Sequence, residues 1–233
     1  MKISVIIPTL DEAATLPASL AALAGQDVLT EIIVCDGGST DGTLPMARQN
    51  GALVLSSPRG RGQQLHAGVA RATGDVLLFL HADTILAPGA LGAVRTALAD
   101  PSLGGGNFRV IFDGPSAFAG WLTGFYAWLR RNGFYYGDSV VFMRRSVFSK
   151  IGGIKPIALM EDYDLTRRLE RHGPTICIAD PPVVTSSRRF DGRKPWRIFT
   201  QWVVIHALFH LRVNPDWLAT LYKSTAHKPA AER

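Results

Sequence analysis

The sequence predicts an α/β protein built on a doubly wound, mostly parallel sheet. Three observations carry that expectation. Short β-branched runs alternate with Ala- and Leu-rich stretches of helical period through the first half of the chain, the pattern of repeated βαβ units with right-handed crossovers. These runs end in small or polar residues, at Pro8-Thr9-Leu10-Asp11-Glu12, Asp36-Gly37-Gly38-Ser39 and His81-Ala82-Asp83, and ligands of such sheets bind beyond the carboxyl ends of the strands. The 233 residues are 47% apolar with a mean hydropathy of +0.12. That suffices for a buried core and excludes a disordered, collagen-like or small disulfide-stapled chain.

Each element follows from local pattern. Ile3, Val5, Ile6 and Ile7 give a strand over 3–7, and an Ala/Leu-rich period gives a helix over 12–24. A strand over 31–35, a helix after Asp41 and a strand over 52–55 follow, then a helix over 62–72 and a strongly apolar strand over 75–80. After residue 103 the alternation loosens. A glycine-rich start leads into a strand over 104–111, an aromatic-rich helix over 118–131 and a strand over 140–143. Helices are expected over 161–172 and 195–212, and the polar tail from 223 is expected to fray. There is no internal repeat or low-complexity linker.

Charge is unevenly spread. Residues 1–100 carry 6 basic and 9 acidic side chains, and residues 101–233 carry 19 and 10, for a net charge of +6. A basic surplus admits nucleic acid, an anionic membrane surface or a phosphorylated small molecule as partner. Cys35 and Cys177 each sit in an apolar strand-like stretch and read as structural residues of a reducing compartment. The opening Met1–Pro8 segment is too short and too soon interrupted for a signal peptide, so cytoplasmic residence is expected, and no uncharged stretch reaches the length of a spanning helix.

The chain lacks G-x-x-x-x-G-K-[ST] and G-x-G-x-x-G, so neither a P-loop nor a dinucleotide fingerprint applies. Asp83, closing the strand Val76-Leu77-Leu78-Phe79-Leu80, is placed either to hold a divalent cation against a diphosphate or to cap a following helix. Further short motifs recur along the chain: Asp36-Gly37-Gly38-Ser39-Thr40-Asp41-Gly42-Thr43, Arg59-Gly60-Arg61-Gly62, Ala72-Thr73-Gly74-Asp75, Tyr136-Gly137-Asp138-Ser139, Phe142-Met143-Arg144-Arg145, Leu159-Met160-Glu161-Asp162 and Thr185-Ser186-Ser187-Arg188-Arg189. Taken with Pro8–Glu12 and Leu80-His81-Ala82-Asp83, their order and spacing to about residue 200 resemble the family 2 glycosyltransferases, a family with the GT-A fold.

That resemblance implies an inverting transfer of a sugar from a nucleoside diphosphate sugar to an acceptor hydroxyl or phosphate, with Mg²⁺ or Mn²⁺. It implies one domain over 1–233, with a donor-binding half at 1–110, an acceptor-binding half at 111–222 and a flexible tail at 223–233. Pro8, Thr9, Glu12, Asp36, Gly38, Arg61, His81, Ala82 and Asp83 would line the donor site, with Asp36 on the base, Arg61 near base or diphosphate, and Asp83 as the metal ligand. The sequence departs from the family pattern in two places there. Gly37 stands where many members carry a second Asp, and His81 stands where the Asp-x-Asp motif has its first Asp. A neutral imidazole at 81 would hydrogen-bond ribose, ligate a softer ion such as Mn²⁺, or pack beneath the substrate.

On the acceptor side the resemblance makes Asp162 the base, with Glu161 beside it, and places Gly137 and Asp138 at the acceptor, with Ser139 replacing a Gln. Acidic residues at a helix start also read as simple caps. Arg188 and Arg189, with Arg193, Lys194 and Arg197, supply positive charge for a leaving diphosphate, and Trp196 interleaves with them as an acceptor or surface contact. The last helix carries an apolar arc of Ile198, Trp202, Ile205 and Phe209, widened by Val204, Leu208 and Leu211. It fits packing on the core, a second copy of the chain as a homodimer, or peripheral contact with anionic lipid. His206 and His210 at i, i+4 lack the Glu of H-E-x-x-H, which argues against zinc. The cluster from Phe118 to Tyr136 reads as core or as the wall of a groove for a lipid or polyprenyl-type acceptor. Nucleic acid ranks last, because the aromatics sit in helical segments rather than on a basic strand face. A sugar-phosphate nucleotidyltransferase and a degenerate, non-catalytic nucleotide-sugar-binding protein remain the competing classes.

Overall fold

The computed structural model describes residues 1–190 and 194–225. Its elements run β1 (Ile3–Thr9), α1 (Leu16–Ala24), β2 (Thr30–Asp36), α2 (Thr43–Gln49), β3 (Leu53–Ser56), α3 (Arg61–Arg71), β4 (Val76–Phe79), β5 (Thr84–Leu86) and α4 (Ala90–Ala97). There follow β6 (Gly105–Phe112), α5 (Ala117–Arg131), a 3₁₀ turn at Gly137–Ser139, β7 (Val141–Arg144), α6 (Arg145–Lys150), α7 (Glu161–His172), β8 (Thr175–Thr185), α8 (Pro195–His210) and α9 (Pro215–Thr225).

The strands form one eight-stranded sheet in the order β3-β2-β1-β4-β7-β6-β8-β5. Strands β3, β2, β1 and β4 are parallel, as the alternation requires. Strand β7 enters antiparallel between β4 and β6, β6 and β8 run parallel, and β5 closes the edge antiparallel to β8. Four of the seven pairings are parallel, as expected of a doubly wound, mostly parallel sheet.

Successive strand residues point to opposite faces, so the sheet sorts its apolar side chains into two layers. One face buries Ile3, Val5, Ile7, Leu78 and Phe142 against Leu16 and Leu20 of α1, Leu91 of α4 and Leu122 of α5. The other buries Ile6, Ile33, Leu77, Phe79 and Met143 against Leu65 of α3, Phe148 of α6 and Leu165 of α7. A smaller cluster of Met160, Tyr163 and Ile205 joins α7 to α8. Both cysteines lie on strands and are free, and burial pushes the Cys35 thiol up to about 12.

Several expectations need correction. The first helix starts at Leu16 rather than 12, because residues 11–13 are tied into the loop after β2: Asp11 Oδ1 accepts from Thr40 N at 2.8 Å, Thr43 Oγ1 from Glu12 N at 2.9 Å, and Asp41 Oδ2 from Ala13 N at 3.0 Å. No helix follows Asp83, so it caps nothing; β5 begins at the next residue. Helix α9 runs to Thr225, and the rest of the expected tail, 226–233, lies outside the described residues. On α8, Ile198 and Ile205 are buried as the arc predicts, but Val204 and Leu211 face solvent.

Candidate active site

The carboxyl ends of β1 and β4 and the start of α3 open onto a cleft of about 360 Å³ lined by Pro8, Thr9, Glu12, Arg61, Gln64, His81, Ala82, Asp83 and Arg188. A second cavity of about 20 Å³ lies behind Arg61 and His81 and is bounded by Gly137 and Asp162. The two share Pro8, Arg61 and His81, so the donor-side and acceptor-side residues named from sequence meet across one guanidinium.

Arg61 is that hub. It forms an ion pair with the buried Glu161, its Nη2 lies 3.3 Å from Asp162 Oδ2, and its Nη1 lies 3.4 Å from His81 Nε2. Burial works against the Arg61 charge, but Glu161 and Asp162 outweigh it, and the guanidinium stays well above its ordinary range. Glu161 is therefore more than a helix cap: its side chain is 1% exposed and spent on Arg61.

Asp162 lies in the first turn of α7, where unpaired backbone N–H groups and the helix dipole favour negative charge. Its Oδ2 accepts from Gly137 N at 2.9 Å and its Oδ1 from Tyr163 N at 2.7 Å. The residue before the helix, Met160, has φ 67° and Val140, after the Gly137–Ser139 turn, has φ 53°. Such left-handed conformations cost energy in non-glycine residues, most of all a β-branched one, and they flank the two segments that meet here. Gly137 is required by packing: a Cβ would lie 2.8 Å from His81 Nε2 and 3.2 Å from Asp162 Oδ2.

His81 is gripped on both sides. Its Nδ1 lies 3.1 Å from Asp138 Oδ1, while Nε2 faces Arg61. Both contacts are met by the tautomer carrying its proton on Nδ1, with Nε2 accepting. Asp138 in turn accepts from Tyr126 Oη on α5 at 2.9 Å. The turn that sequence assigns to the acceptor thus also braces His81.

On the open side, Arg188 bridges two carboxylates. Its Nη2 lies 2.6 Å from Glu12 Oε2 and 3.3 Å from Asp83 Oδ2. Burial pushes the Asp83 carboxyl up, against the pull of His81 and Arg188. Asp36 does not line the cleft: it is 2% exposed, and its Oδ2 accepts from Gly38 N at 2.8 Å and Ser39 N at 2.9 Å. Its carboxylate holds the loop shape, with Gly38 at φ 96° in the conformation that favours glycine. Trp196, at the start of α8, is exposed with Arg197 over its ring, and does not line the cleft. The side chain of Arg189 and all of Arg193 fall outside the described residues.

Two residues escape sequence reading. Gln64 Nε2 donates to Thr9 O at 2.7 Å and Cys35 O at 2.8 Å, and a Cβ on Gly37 would lie 3.1 Å from that nitrogen. Gln64 fills the room beside Gly37. For Tyr126, read from sequence only as part of the aromatic cluster, it is the bond to Asp138, twelve residues further on, that escapes. His206 and His210 hydrogen-bond Tyr136 and Tyr163, each at 3.0 Å, and burial lowers the basicity of His206; these bonds tie α8 to Tyr136 and to α7.

Comparison with known proteins decides the family. The model of glycosyl transferase family 2 matches residues 4–152. The chain belongs to glycosyl transferase family 2. Among relatives, an uncharacterised glycosyltransferase of Mycobacterium tuberculosis is 42% identical over 83 residues, 35% of this chain and 36% of that protein. A PGL/p-HBAD biosynthesis glycosyltransferase of the same species is 42% identical over 91 residues, 36% of each chain. These matches therefore span about a third of either relative's length. In solved structures the family 2 chain resembles the mannosyltransferase PcManGT from Pyrobaculum calidifontis in complex with GDP-Man and Mn²⁺, with TM-score 0.66 and 23% identity over 96% of this chain and 70% of that one. It also resembles glucosyl-3-phosphoglycerate synthase from Mycobacterium tuberculosis in complex with Mn²⁺, UDP and glucosyl-3-phosphoglycerate, with TM-score 0.60 and 21% identity over 89% of this chain and 78% of that one.

Proposed function

We propose that this family 2 member transfers a sugar, with inversion, from a nucleoside diphosphate sugar to an acceptor hydroxyl or phosphate. The observation that carries the reading is the junction at Arg61, which joins a cleft at the ends of β1 and β4 to a carboxylate, Asp162, at the N-terminus of α7. Residues 1–110 would bind the donor and residues 111–222 would shape the acceptor side.

In this reading Asp162 takes the proton from the attacking acceptor oxygen. Three protein contacts, from Gly137 N, Tyr163 N and Arg61, fix where that carboxylate stands, and orientation of this kind is a large part of a base's worth. His81, braced by Asp138, packs beneath the donor. Arg188 exchanges Glu12 and Asp83 for the diphosphate as it gains charge on leaving.

Asp83 and Glu12 would hold a divalent cation. Among the described residues no cluster of three or more His, Cys, Asp or Glu forms a closed cage. One or two carboxylates that share a site with substrate phosphates fit Mg²⁺ or Mn²⁺, which fill their coordination from phosphate oxygens and water. When bound, the ion neutralises diphosphate charge.

A thermal-shift screen of UDP-, GDP- and dTDP-sugars with and without Mg²⁺ or Mn²⁺ tests the donor side, because a ligand of the folded state raises its apparent stability. One donor–metal pair should raise the melting temperature. Binding without turnover or donor hydrolysis would mark a degenerate binding protein instead.

A further inference from the structure

Two helices turn an aromatic face to solvent. On α5, Trp121, Phe125 and Trp128 lie at four- and three-residue spacing, with ring centroids 4.9 and 5.9 Å apart. On α8, Trp196, Phe199 and Val203 share one stripe, and the Phe199 ring meets Phe125 at 6.2 Å, which joins the two stripes. Trp121 is 46% exposed, Trp128 54%, Trp196 61%, Phe199 44% and Val203 51%. Large apolar side chains left uncovered singly need no explanation, but a joined row of them marks a surface that meets something.

The charges around this face say what. No Asp or Glu occurs between Asp113 and Asp138, the stretch that contains α5, nor between Asp191 and Asp216, the stretch that contains α8. Cations are present in both. Arg131 follows Trp128 by three residues and is exposed, the Arg197 guanidinium lies 5.3 Å from the centre of the Trp196 ring, and Lys194 is exposed at the head of α8. Tryptophan combines an apolar body with a polar N–H and suits the boundary between lipid and water, while a cationic rim suits anionic headgroups. No helix among the described residues is long and apolar enough to cross a membrane, so contact would lie along the surface. A second copy of the chain is a poorer occupant, because a self-complementary interface would set these cations against each other and neither helix carries an acidic side chain to meet them.

We propose that the α5–α8 face docks on an anionic phospholipid bilayer. The fold ties this face to the site: Tyr126, the neighbour of Phe125, points inward and donates to Asp138 at 2.9 Å. Resting on the transferase reading, this would set the Asp138–Asp162 side of the site next to the membrane, where an acceptor with an apolar anchor is held.

The test is flotation of the full chain with vesicles of phosphatidylcholine alone and of phosphatidylcholine with phosphatidylglycerol, without donor or acceptor, so that its failure is separate from failure of the transferase reading. The chain should float with the anionic vesicles, less with the neutral ones, and less as salt rises, with a blue shift of tryptophan emission. The double variant Trp121→Gln/Trp128→Gln, at surface positions outside the site, should melt like the parent and partition about tenfold more weakly. Absence of flotation with anionic vesicles at low salt, or equal flotation of the double variant, overturns the proposal. So does a parent dimer, seen by light scattering, that the double variant abolishes.

Discussion

Asp138 Oδ1 lies 3.1 Å from His81 Nδ1, and the other Asp138 oxygen accepts from Tyr126 Oη at 2.9 Å. A histidine where the family pattern has an aspartate thus comes with a carboxylate that orients it and a phenol that orients the carboxylate. The chain Tyr126–Asp138–His81–Arg61–Asp162 connects α5, the Gly137–Ser139 turn, the end of β4, α3 and α7.

Asp138→Asn removes the acceptor charge facing Nδ1 and lets the ring turn. Turnover with the donor found by thermal shift should fall by about 10-fold to 10²-fold, because misplacement of a group at a reacting centre costs rate steeply. Tyr126→Phe, which removes only the outer bond, should cost less. Steady-state kinetics of both variants check the ranking.

Gly137→Ala puts a methyl 2.8 Å from His81 Nε2 and 3.2 Å from Asp162 Oδ2. Overpacking of this sort costs about 1–3 kcal/mol. The variant should stay folded, as circular dichroism would show, while its melting temperature drops and its activity is largely lost.

Much of this was legible beforehand, and the reasons are physical. The apolar runs of β1, β4 and the second half of β2 are buried on both faces and stand out against Ala/Leu helices. Helix α7 spans the residues expected, Glu161–His172, because Glu161, Asp162 and Asp164 crowd its first turn and Arg171 and His172 its last. The short elements were hidden. Three-residue β5 exists only through pairing with the far end of β8, about 100 residues away, and α4 starts after Gly89 at φ 79° rather than at a side-chain cap. The burial of Asp36 and the fit of Gln64 over Gly37 are long-range or loop-geometric facts that spacing does not encode.

One motif belongs to stability. In Ala72-Thr73-Gly74-Asp75 the backbone of Thr73 and Gly74 donates to Glu31, which also accepts from Lys2 Nζ at 2.7 Å and from Ser4 Oγ. Burial would raise the Glu31 pKa, but the bonds from Lys2, Ser4 and Thr73 outweigh it and hold the carboxyl far below its ordinary 4.5. A folded-state pKa below the unfolded value contributes stability that is fully present above about pH 4.5 to 5 and fades as pH falls. Glu31→Gln should therefore melt lower than the parent at pH 7, and the gap should close on acidification below pH 4.5. Melting curves across pH check the sign.

Arg188→Gln leaves Glu12 and Asp83 without their bridging guanidinium and the leaving diphosphate without a cation. Turnover should fall by about 10²-fold, since such groups act on charge that develops in the transition state. Arg188→Lys should recover part of it, as a point charge in place of a planar fork. Comparing kcat across the three chains separates this role from simple loss of fold, which the melting temperature reports.

The most direct test of the account is Asp162→Asn, assayed with the donor and metal that stabilise the parent. The side chain keeps its size, and its Oδ1 can still accept from Tyr163 N. The account predicts that the donor-induced thermal shift persists while kcat falls by about 10² to 10⁴, the usual worth of a positioned base. A kcat within about twofold of the parent, with the donor still bound, would contradict it and remove Asp162 from the chemistry.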